Sequence, residues 1–369
     1  MEFINLNNKN YKLSKIGLGT GLGYYPGGIK QEKKLINALE FAIENKINWI
    51  DTAESYFNGY SEKLIGKLLK NINKNIYILS KFSPQNAGKL KLRKAIENSL
   101  IRLNRDQIDI YQFHWPNVKI PWHETLETLM ELLKEGKIGA IGVSNFSPEN
   151  LETVYNICDI NIQTHQLEYN LFNRTAETLF FPFHKDKKIT TIGYSPFTGI
   201  NNLKPESQKL KILQNIANKY KSEIHGITLA YLLSQANLLI AVNSTNTVNI
   251  KNNICGSKIK LEDADIDKID NIFRDKIHFI NINDINLSKN KNYETYSSID
   301  EAINNHLKLY PSPLELSKEY KTGASLIPIK VTKINNEFKL IGGMLRYWAW
   351  RIAFDGCVNK YNIPAIIYD

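Results

Sequence analysis

Short apolar runs alternate with longer amphipathic segments through most of this chain. INWIDTA, IYILSKF, IDIYQFHWP, IGAIGVSNF, INIQTHQLEYN, ITTIGYSPF and LLIAVNST have the length and composition of buried strands. Between them, segments such as EKKLINALEFAIENK, KLRKAIENSLIRL, WHETLETLMELLKEG and PENLETVYNICD repeat apolar positions every three or four residues, the spacing of one helix face. The run Ile16 to Leu18 adds an eighth strand. Eight alternations of strand and helix over roughly 250 residues predict an α/β fold, a closed (β/α)8 TIM barrel. Ahead of it, FINLNNKNYKLSKIGLGTG alternates polar and apolar residues on either side of Asn7, Asn8 and Asn10, which predicts a β-hairpin. An open doubly wound sheet is the alternative, and GLGTGLG has glycines at a GxGxxG-like spacing. It lacks the strand-to-helix context and the acidic residue about twenty positions on that a dinucleotide fingerprint requires.

The rhythm stops after the helix LEDADIDKIDNIF. A strand-like run, IHFININDI, and a polar stretch, NLSKNKNYETYSS, mark a boundary between a barrel over 1–275 and a small α+β domain over 280–369. The second part has its own elements: a helix around DEAINNHLKL, the run SLIPIKV, a hairpin through INNEFKLIGG, the helix MLRYWAWRIAF and a closing strand, IPAIIYD. No internal repeat relates the two parts.

Composition narrows the class. The chain has 369 residues, 43% hydrophobic and 23% charged, in the range of soluble globular proteins. No run approaches the eighteen or so apolar residues a membrane span needs, and MEFINLNNKN lacks the regions of a signal peptide, so the cytoplasm is the expected compartment. Cys158, Cys255 and Cys357 lie far apart without CxxC or Cys/His spacing, which predicts core thiols and neither a disulfide framework nor a metal site. The net charge of +10 is spread along the chain, and 280–369 carries eleven basic and nine acidic residues. With no basic track, nucleic acid is not an expected partner.

Polar or ionisable residues stand at the C-terminal ends of most predicted strands: Asp51, Lys81, His114, Ser144, Asn145, Gln166, Tyr194, Ser195 and Ser244. In a barrel all these ends face one mouth, where catalysis is built. Four residues there suit carbonyl reduction, which leaves an alkoxide in need of a proton. Tyr56 is the candidate acid, Lys81 tunes it, Asp51 anchors Lys81, and His114 orients the carbonyl. A phenol has a pKa of about 10, and lowering it by two units takes roughly 2.7 kcal/mol of preferential phenolate stabilisation, an effect expected of Lys81. Singly, each residue is as well explained by a structural role; it is their occurrence on successive strands that singles them out. The remaining histidines, His123, His165, His184, His225, His278 and His306, show no comparable company, and their spacing suggests no metal site.

These segments resemble the aldo-keto reductases. DTAESYFNGYSEKLIG is similar to that family's strand-two signature, and GVSNFSPENL, QLEYNLF and GYSPF resemble three further segments in the same order, over about residues 3 to 265. The resemblance implies that Asp51, Tyr56, Lys81 and His114 are a catalytic tetrad acting on a ketone, aldehyde or sugar-like substrate. It implies that Ser144, Asn145 and Gln166 hold a nicotinamide carboxamide and that Tyr194 stacks on the ring. Gly19, Thr20, Asp51 and Ser195 complete the coenzyme-facing set, with Ser244, Thr245 and Asn253 toward the phosphates and adenine. Where many relatives carry basic residues for the 2′-phosphate, this chain has Asn243 and Asn249, with Lys251 nearby. NADP(H) is therefore expected ahead of NAD(H) only narrowly. YYPGG, WPNVKIPW and FNRTAETLFFPFHKD are expected to line the pocket, with Tyr24, Trp115 and Phe172 as candidates.

The last domain resembles the ParB/sulfiredoxin-like fold through LIPIKV, FKLIGGMLRYWAWRIAF and IPAIIYD. Gly342, Gly343 and Arg346 match its phosphate-binding turn, whereas Met344 and Leu345 replace the reactive positions of sulfiredoxins, which argues against sulfinic-acid reduction. Trp348 and Trp350 are expected in the core or at an interface. Besides a reductase, the sequence admits a nicotinamide-sensing module that signals through this domain, and, less well, a nucleic-acid-binding protein. Intact Tyr56 and Lys81 favour the enzyme.

Overall fold

The structure, a computed structural model, describes the chain outside residues 7–9, 22–28, 73, 118–119, 159, 275–276, 288–294, 308–311, 322–327, 335–336, 356–361 and 369. Two compact units result, Met1–Arg274 and Asp275–Asp369.

The first unit opens with an antiparallel pair, β1 (Phe3–Asn5) and β2 (Lys12–Ser14). The expected turn residues Asn7 and Asn8 lie outside the described residues. Eight parallel strands then close a barrel: β3 (Ile16–Gly19), β4 (Trp49–Asp51), β5 (Tyr77–Phe82), β6 (Ile108–Phe113), β7 (Ile138–Ser144), β8 (Ile162–Glu168), β9 (Thr190–Tyr194) and β10 (Leu238–Val242), with β10 pairing β3. Every residue of β5, β7 and β10 is buried, as expected of strands covered on both faces. The intervening helices lay one stripe on the strands. In the helix Trp122–Lys134, for example, Trp122, Thr125, Leu126, Leu129 and Leu132 are buried at helical spacing. The helix Pro148–Ile157 starts at a capping box, with the Ser147 hydroxyl accepting from the Asn150 N–H and proline in the first turn.

Alternation along the strands separates two layers inside the barrel. Trp49, Leu79, Ile110, Ala140, Ile192 and Leu239 form one apolar cluster with Leu6, Tyr11 and Leu13 of the hairpin segment. The indole N–H of Trp49 donates to Ser14 O at 2.7 Å, fastening hairpin to barrel. Gly17 makes room for that indole, since a Cβ at 17 falls 2.1 Å from its ring atoms. Two residues further along, the same strand faces carry Asp51, Lys81, Gln112 and Tyr194. An apolar floor thus supports a polar layer at the C-terminal mouth.

The second unit is a five-stranded mixed sheet ordered β11 (Ile277–Asn281), β15 (Asn362–Tyr368), β13 (Ile329–Ile334), β14 (Glu337–Gly342) and β12 (Ile285–Asn286). The helices Ile299–Asn304, Pro313–Lys321 and Met344–Phe354 supply its other layer. The helix Pro313–Lys321 was not apparent from the periodicity; its PLELSKEYK buries Leu316 and Tyr320 against Ala349, Ala353 and Phe354. The polar stretch read as a boundary falls inside this unit, because β11 ahead of it pairs with β15 and Tyr296 is fully buried in the unit's core. Trp348 is buried there too, its N–H donating to Thr295 Oγ1 at 3.1 Å, and Trp350 packs on Tyr320 and Phe354.

Candidate active site

Lys81 sits on the inner face of β5 with 1% of its surface exposed. An ammonium so placed needs acceptors, and it has them: Asp51 Oδ1 at 2.7 Å, Asp51 Oδ2 at 2.9 Å, Thr52 O at 2.9 Å and the Tyr56 hydroxyl at 3.4 Å. Burial alone would pull the Lys81 pKa down, but Asp51 and then Tyr56 more than offset it, and the ammonium is held above its ordinary value. Tyr56 stands on the turn after β4, its ring edge-on to His114 at 5.5 Å between centroids. A Cβ on Gly21 would fall 2.6 Å from Tyr56 Cζ, so the glycine keeps space over the phenol.

Here the structure corrects the sequence reading. The Tyr56 pKa is raised, because burial pushes it up and Asp51 adds to that, while Lys81 only partly pulls it back. Lys81 still favours the phenolate through its charge and its hydrogen bond, but burial of the phenol, with Asp51 beside it, outweighs that pull. Tyr56 is therefore a protonated donor throughout the ordinary pH range. His114, half-buried and facing Lys81, is pushed down to about 4 by loss of solvent and then by the Lys81 charge, and is neutral under the same conditions.

Asp51, Tyr56, Lys81 and His114 line one cleft of about 220 Å³ with Ser144, Asn145, Gln166, Tyr194 and Ser195. Asn145 ties three strand ends together, donating to His114 O and Ser144 Oγ, both at 3.0 Å, and accepting from the Tyr194 hydroxyl at 2.8 Å. It does so from a left-handed conformation, φ 60°, which asparagine tolerates. Gln166 donates to Asp51 Oδ1 at 3.2 Å. Gly19 lines the cleft, whereas Thr20 lies behind it, buried, donating to Asp51 O.

The remaining expected positions are less central. Ser244, Thr245 and Asn253 are not among the cleft-lining residues, although neighbouring Asn243 is. Ser244 Oγ accepts from Asn246 N at 3.1 Å, shaping the entry to the helix Thr247–Gly256, and Asn253 is buried within that helix. Trp115 lines the cleft at 50% exposure. Phe172 instead packs edge-on against Phe273, and Tyr24 lies outside the described residues. In the second unit Gly343 adopts φ 87° at the start of the helix Met344–Phe354, and Arg346 donates to Pro328 O at 3.2 Å. Sequence reasoning missed Ser55, whose hydroxyl is 3.2 Å from His114 Nδ1, and the amide of Gln112 beneath Gln166. The DIYQ sequence, in which Gln112 alternates with Ile110 on the inward face of β6, was the available signal for Gln112.

Two histidines outside the cleft are paired with each other. His165 Nδ1 lies 3.0 Å from His184 Nε2, and His184 Nδ1 lies 2.7 Å from Thr191 Oγ1, all buried. Burial lowers the His184 pKa to about 4, and burial together with His184 lowers that of His165. A histidine that takes up its proton near 4 when folded and near 6.5 when unfolded favours the unfolded chain as pH falls through that window. We expect about 3 kcal/mol of stability from His184 above pH 6.5, lost progressively toward pH 4. Denaturant titrations at pH 7, 5.5 and 4.5 should show a shallower loss in His184→Gln; an unchanged slope would contradict this account.

Among the described residues no group of three His, Cys, Asp or Glu is placed to hold a metal, and no helix is long and apolar enough to cross a membrane. An eight-stranded barrel with a lysine-aspartate-tyrosine cluster at its mouth defines a class of oxidoreductase, and comparison with known proteins gives the family. The Aldo/keto reductase family profile matches residues 15–274. An aldo-keto reductase of Bacillus subtilis is 38% identical over 205 residues, 53% of this chain and 61% of that protein. The NADH-specific methylglyoxal reductase of Escherichia coli is 28% identical over 315 residues, 72% of this chain and 96% of that protein. The crystal structure of an aldo/keto reductase from Klebsiella pneumoniae in complex with NADP and acetate superposes with a TM-score of 0.68 at 27% identity, covering 74% of this chain and 95% of that one. The chain belongs to the aldo/keto reductase family. It is an enzyme that reduces carbonyl groups with a nicotinamide coenzyme.

Proposed function

We propose that the cleft reduces a small ketone, aldehyde or 2-oxoaldehyde, with Tyr56 as general acid. The observation that carries this reading is the buried Lys81 ammonium, 2.7 Å from Asp51 and 3.4 Å from the Tyr56 hydroxyl, on the wall of an open cleft. The polar groups of the cleft fit a nicotinamide: Ser144, Asn145 and Gln166 offer donors and acceptors for its carboxamide, and Tyr194 offers a ring face. When bound, the reduced coenzyme supplies the hydride. Tyr56, neutral because burial keeps it so, donates the proton that the developing alkoxide needs. Lys81 then faces the phenolate left behind and stabilises it, while Asp51 holds Lys81 in place. His114, neutral, orients the carbonyl oxygen beside Tyr56.

The coenzyme preference we propose is NADP(H), narrowly. A relative of known structure holds NADP and another is NADH-specific, so the family accommodates both. In this chain Asn243 and Asn249 bring no cation toward a 2′-phosphate, and exposed Lys251 is the nearest substitute in sequence. For the second unit we propose a ParB/sulfiredoxin-like fold, supported by its strand–glycine turn–helix sequence at Gly342, Gly343 and Arg346. The cytoplasm remains the proposed location.

Absorbance at the reduced-coenzyme band, followed with a panel of small ketones, aldehydes and 2-oxoaldehydes, tests the proposal. NADPH oxidation dependent on a carbonyl is expected, with NADH slower by less than about tenfold. No oxidation of either coenzyme with any member of the panel overturns the reading, and a preference for NADH above tenfold overturns its coenzyme half.

A further inference from the structure

Beneath the cleft a chain of buried side chains runs toward Asp51. Thr164 Oγ1 lies 3.2 Å from Gln112 Oε1, Gln112 Nε2 lies 3.4 Å from Gln166 Oε1, and Gln166 Nε2 lies 3.2 Å from Asp51 Oδ1. Gln112 and Thr164 are fully buried and Gln166 is 2% exposed, so water does not substitute for these partners. The direction of each link follows from its far end. Asp51 shares its carboxylate with the Lys81 ammonium and only accepts, so Gln166 must turn its NH₂ group to Asp51 and its carbonyl oxygen to Gln112. Gln112 must then present NH₂ to that oxygen, which leaves its own carbonyl oxygen toward Thr164, and the threonine hydroxyl must donate. Reversing any one amide sets oxygen against oxygen or N–H against N–H. The space for the pair exists because residue 142 on the adjacent strand is glycine: a Cβ there would fall 2.3 Å from Thr164 Oγ1 and 2.8 Å from Gln112 Cγ.

One consequence reaches the cleft. An amide has two N–H groups and two lone pairs on oxygen. Gln166 uses one N–H on Asp51 and one lone pair on Gln112, and keeps one of each, with its oxygen and nitrogen ends in a fixed order. That is the complement of a primary carboxamide, which offers an oxygen next to an NH₂. We infer that Gln112 and Thr164 are positioning residues: without touching the coenzyme, they lock Gln166 in the one flip that reads its carboxamide. This inference rests on the assignment of the cleft as the nicotinamide site.

The measurement is the dissociation constant of NADPH in the binary complex, from quenching of protein fluorescence, alongside the melting temperature and the KM for a carbonyl substrate. Thr164→Val keeps the shape and removes the donor, Gln112→Met keeps the length and removes both functions, and Thr164→Ser restores the hydroxyl. Thr164→Val and Gln112→Met should weaken NADPH about five- to tenfold with the carbonyl KM within about twofold of wild type, and Thr164→Ser should bind as wild type does. Wild-type affinity in Thr164→Val overturns the inference whether or not Gln112→Met folds. So does a Thr164→Ser protein as weak as Thr164→Val, because packing would then be the cause. Absence of NADPH binding to the wild type would instead remove the assignment of the cleft, so the two failures are told apart.

Discussion

Replacing Tyr56 with phenylalanine should lower kcat for carbonyl reduction by about a thousandfold, within the 10² to 10⁴ typical of losing a positioned acid, and leave NADPH binding within about twofold. The substitution removes one hydroxyl from a ring that stays where it is, edge-on to His114 and above Lys81. No neighbour takes over its task. Lys81 is fully engaged with Asp51 and Thr52, and His114, with a pKa of about 4, has no proton to give as an imidazolium at neutral pH. The pH profile carries the same argument. Reduction needs the protonated phenol, and a phenol pKa raised above 10 keeps the rate flat from about pH 5.5 through the alkaline range. Alcohol oxidation by the same site needs the phenolate and should rise with pH across that range. Steady-state kinetics of wild type and Tyr56→Phe in both directions check both claims. Equal reduction rates in the two proteins would remove Tyr56 from the role given to it.

Much of this was legible in the sequence because it depends on local pattern. Eight strands each contain a run of buried positions too short for a helix, and the barrel follows from their alternation with amphipathic segments. Strand-end residues point to one mouth by topology alone, so Asp51, Lys81 and Gln166 come together although 115 positions separate the first from the last. Properties set by what stands opposite in space were not legible. The direction of the Tyr56 shift turns first on how deeply the phenol is buried and then on the balance of Lys81 against Asp51, a matter of ångströms. His165 and His184 face each other because β8 and the following helix Phe181–Lys187 pack in one particular rotation, and nineteen residues of spacing do not encode that rotation. In the second unit the helix Pro313–Lys321 went unread because only a few apolar positions in it face the core, and the polar stretch before Tyr296 looked like a linker because so little of it is apolar.

Lys81→Met should abolish measurable reduction and cost about 3–5 kcal/mol of stability, the cost of leaving a buried carboxylate without its cation. Asp51 is 4% exposed, and with the ammonium gone its only remaining side-chain donor among the described residues is Gln166. Thr52 O loses a partner as well. The carboxyl is then expected to take up a proton, which makes the variant's stability fall as pH rises, opposite in sign to the histidine effect. Pairing the change with Asp51→Asn separates stability from catalysis. The double variant buries an amide beside a thioether, with no uncompensated charge, and should regain all but about 1–2 kcal/mol. It should regain no activity, because nothing then stabilises the phenolate that Tyr56 becomes after giving up its proton. Chemical denaturation at two pH values and single-turnover rates on all three variants test this. If the double variant recovered reduction together with stability, the ion pair would be only a structural brace of the barrel mouth, and Tyr56 would not need the lysine to act as an acid.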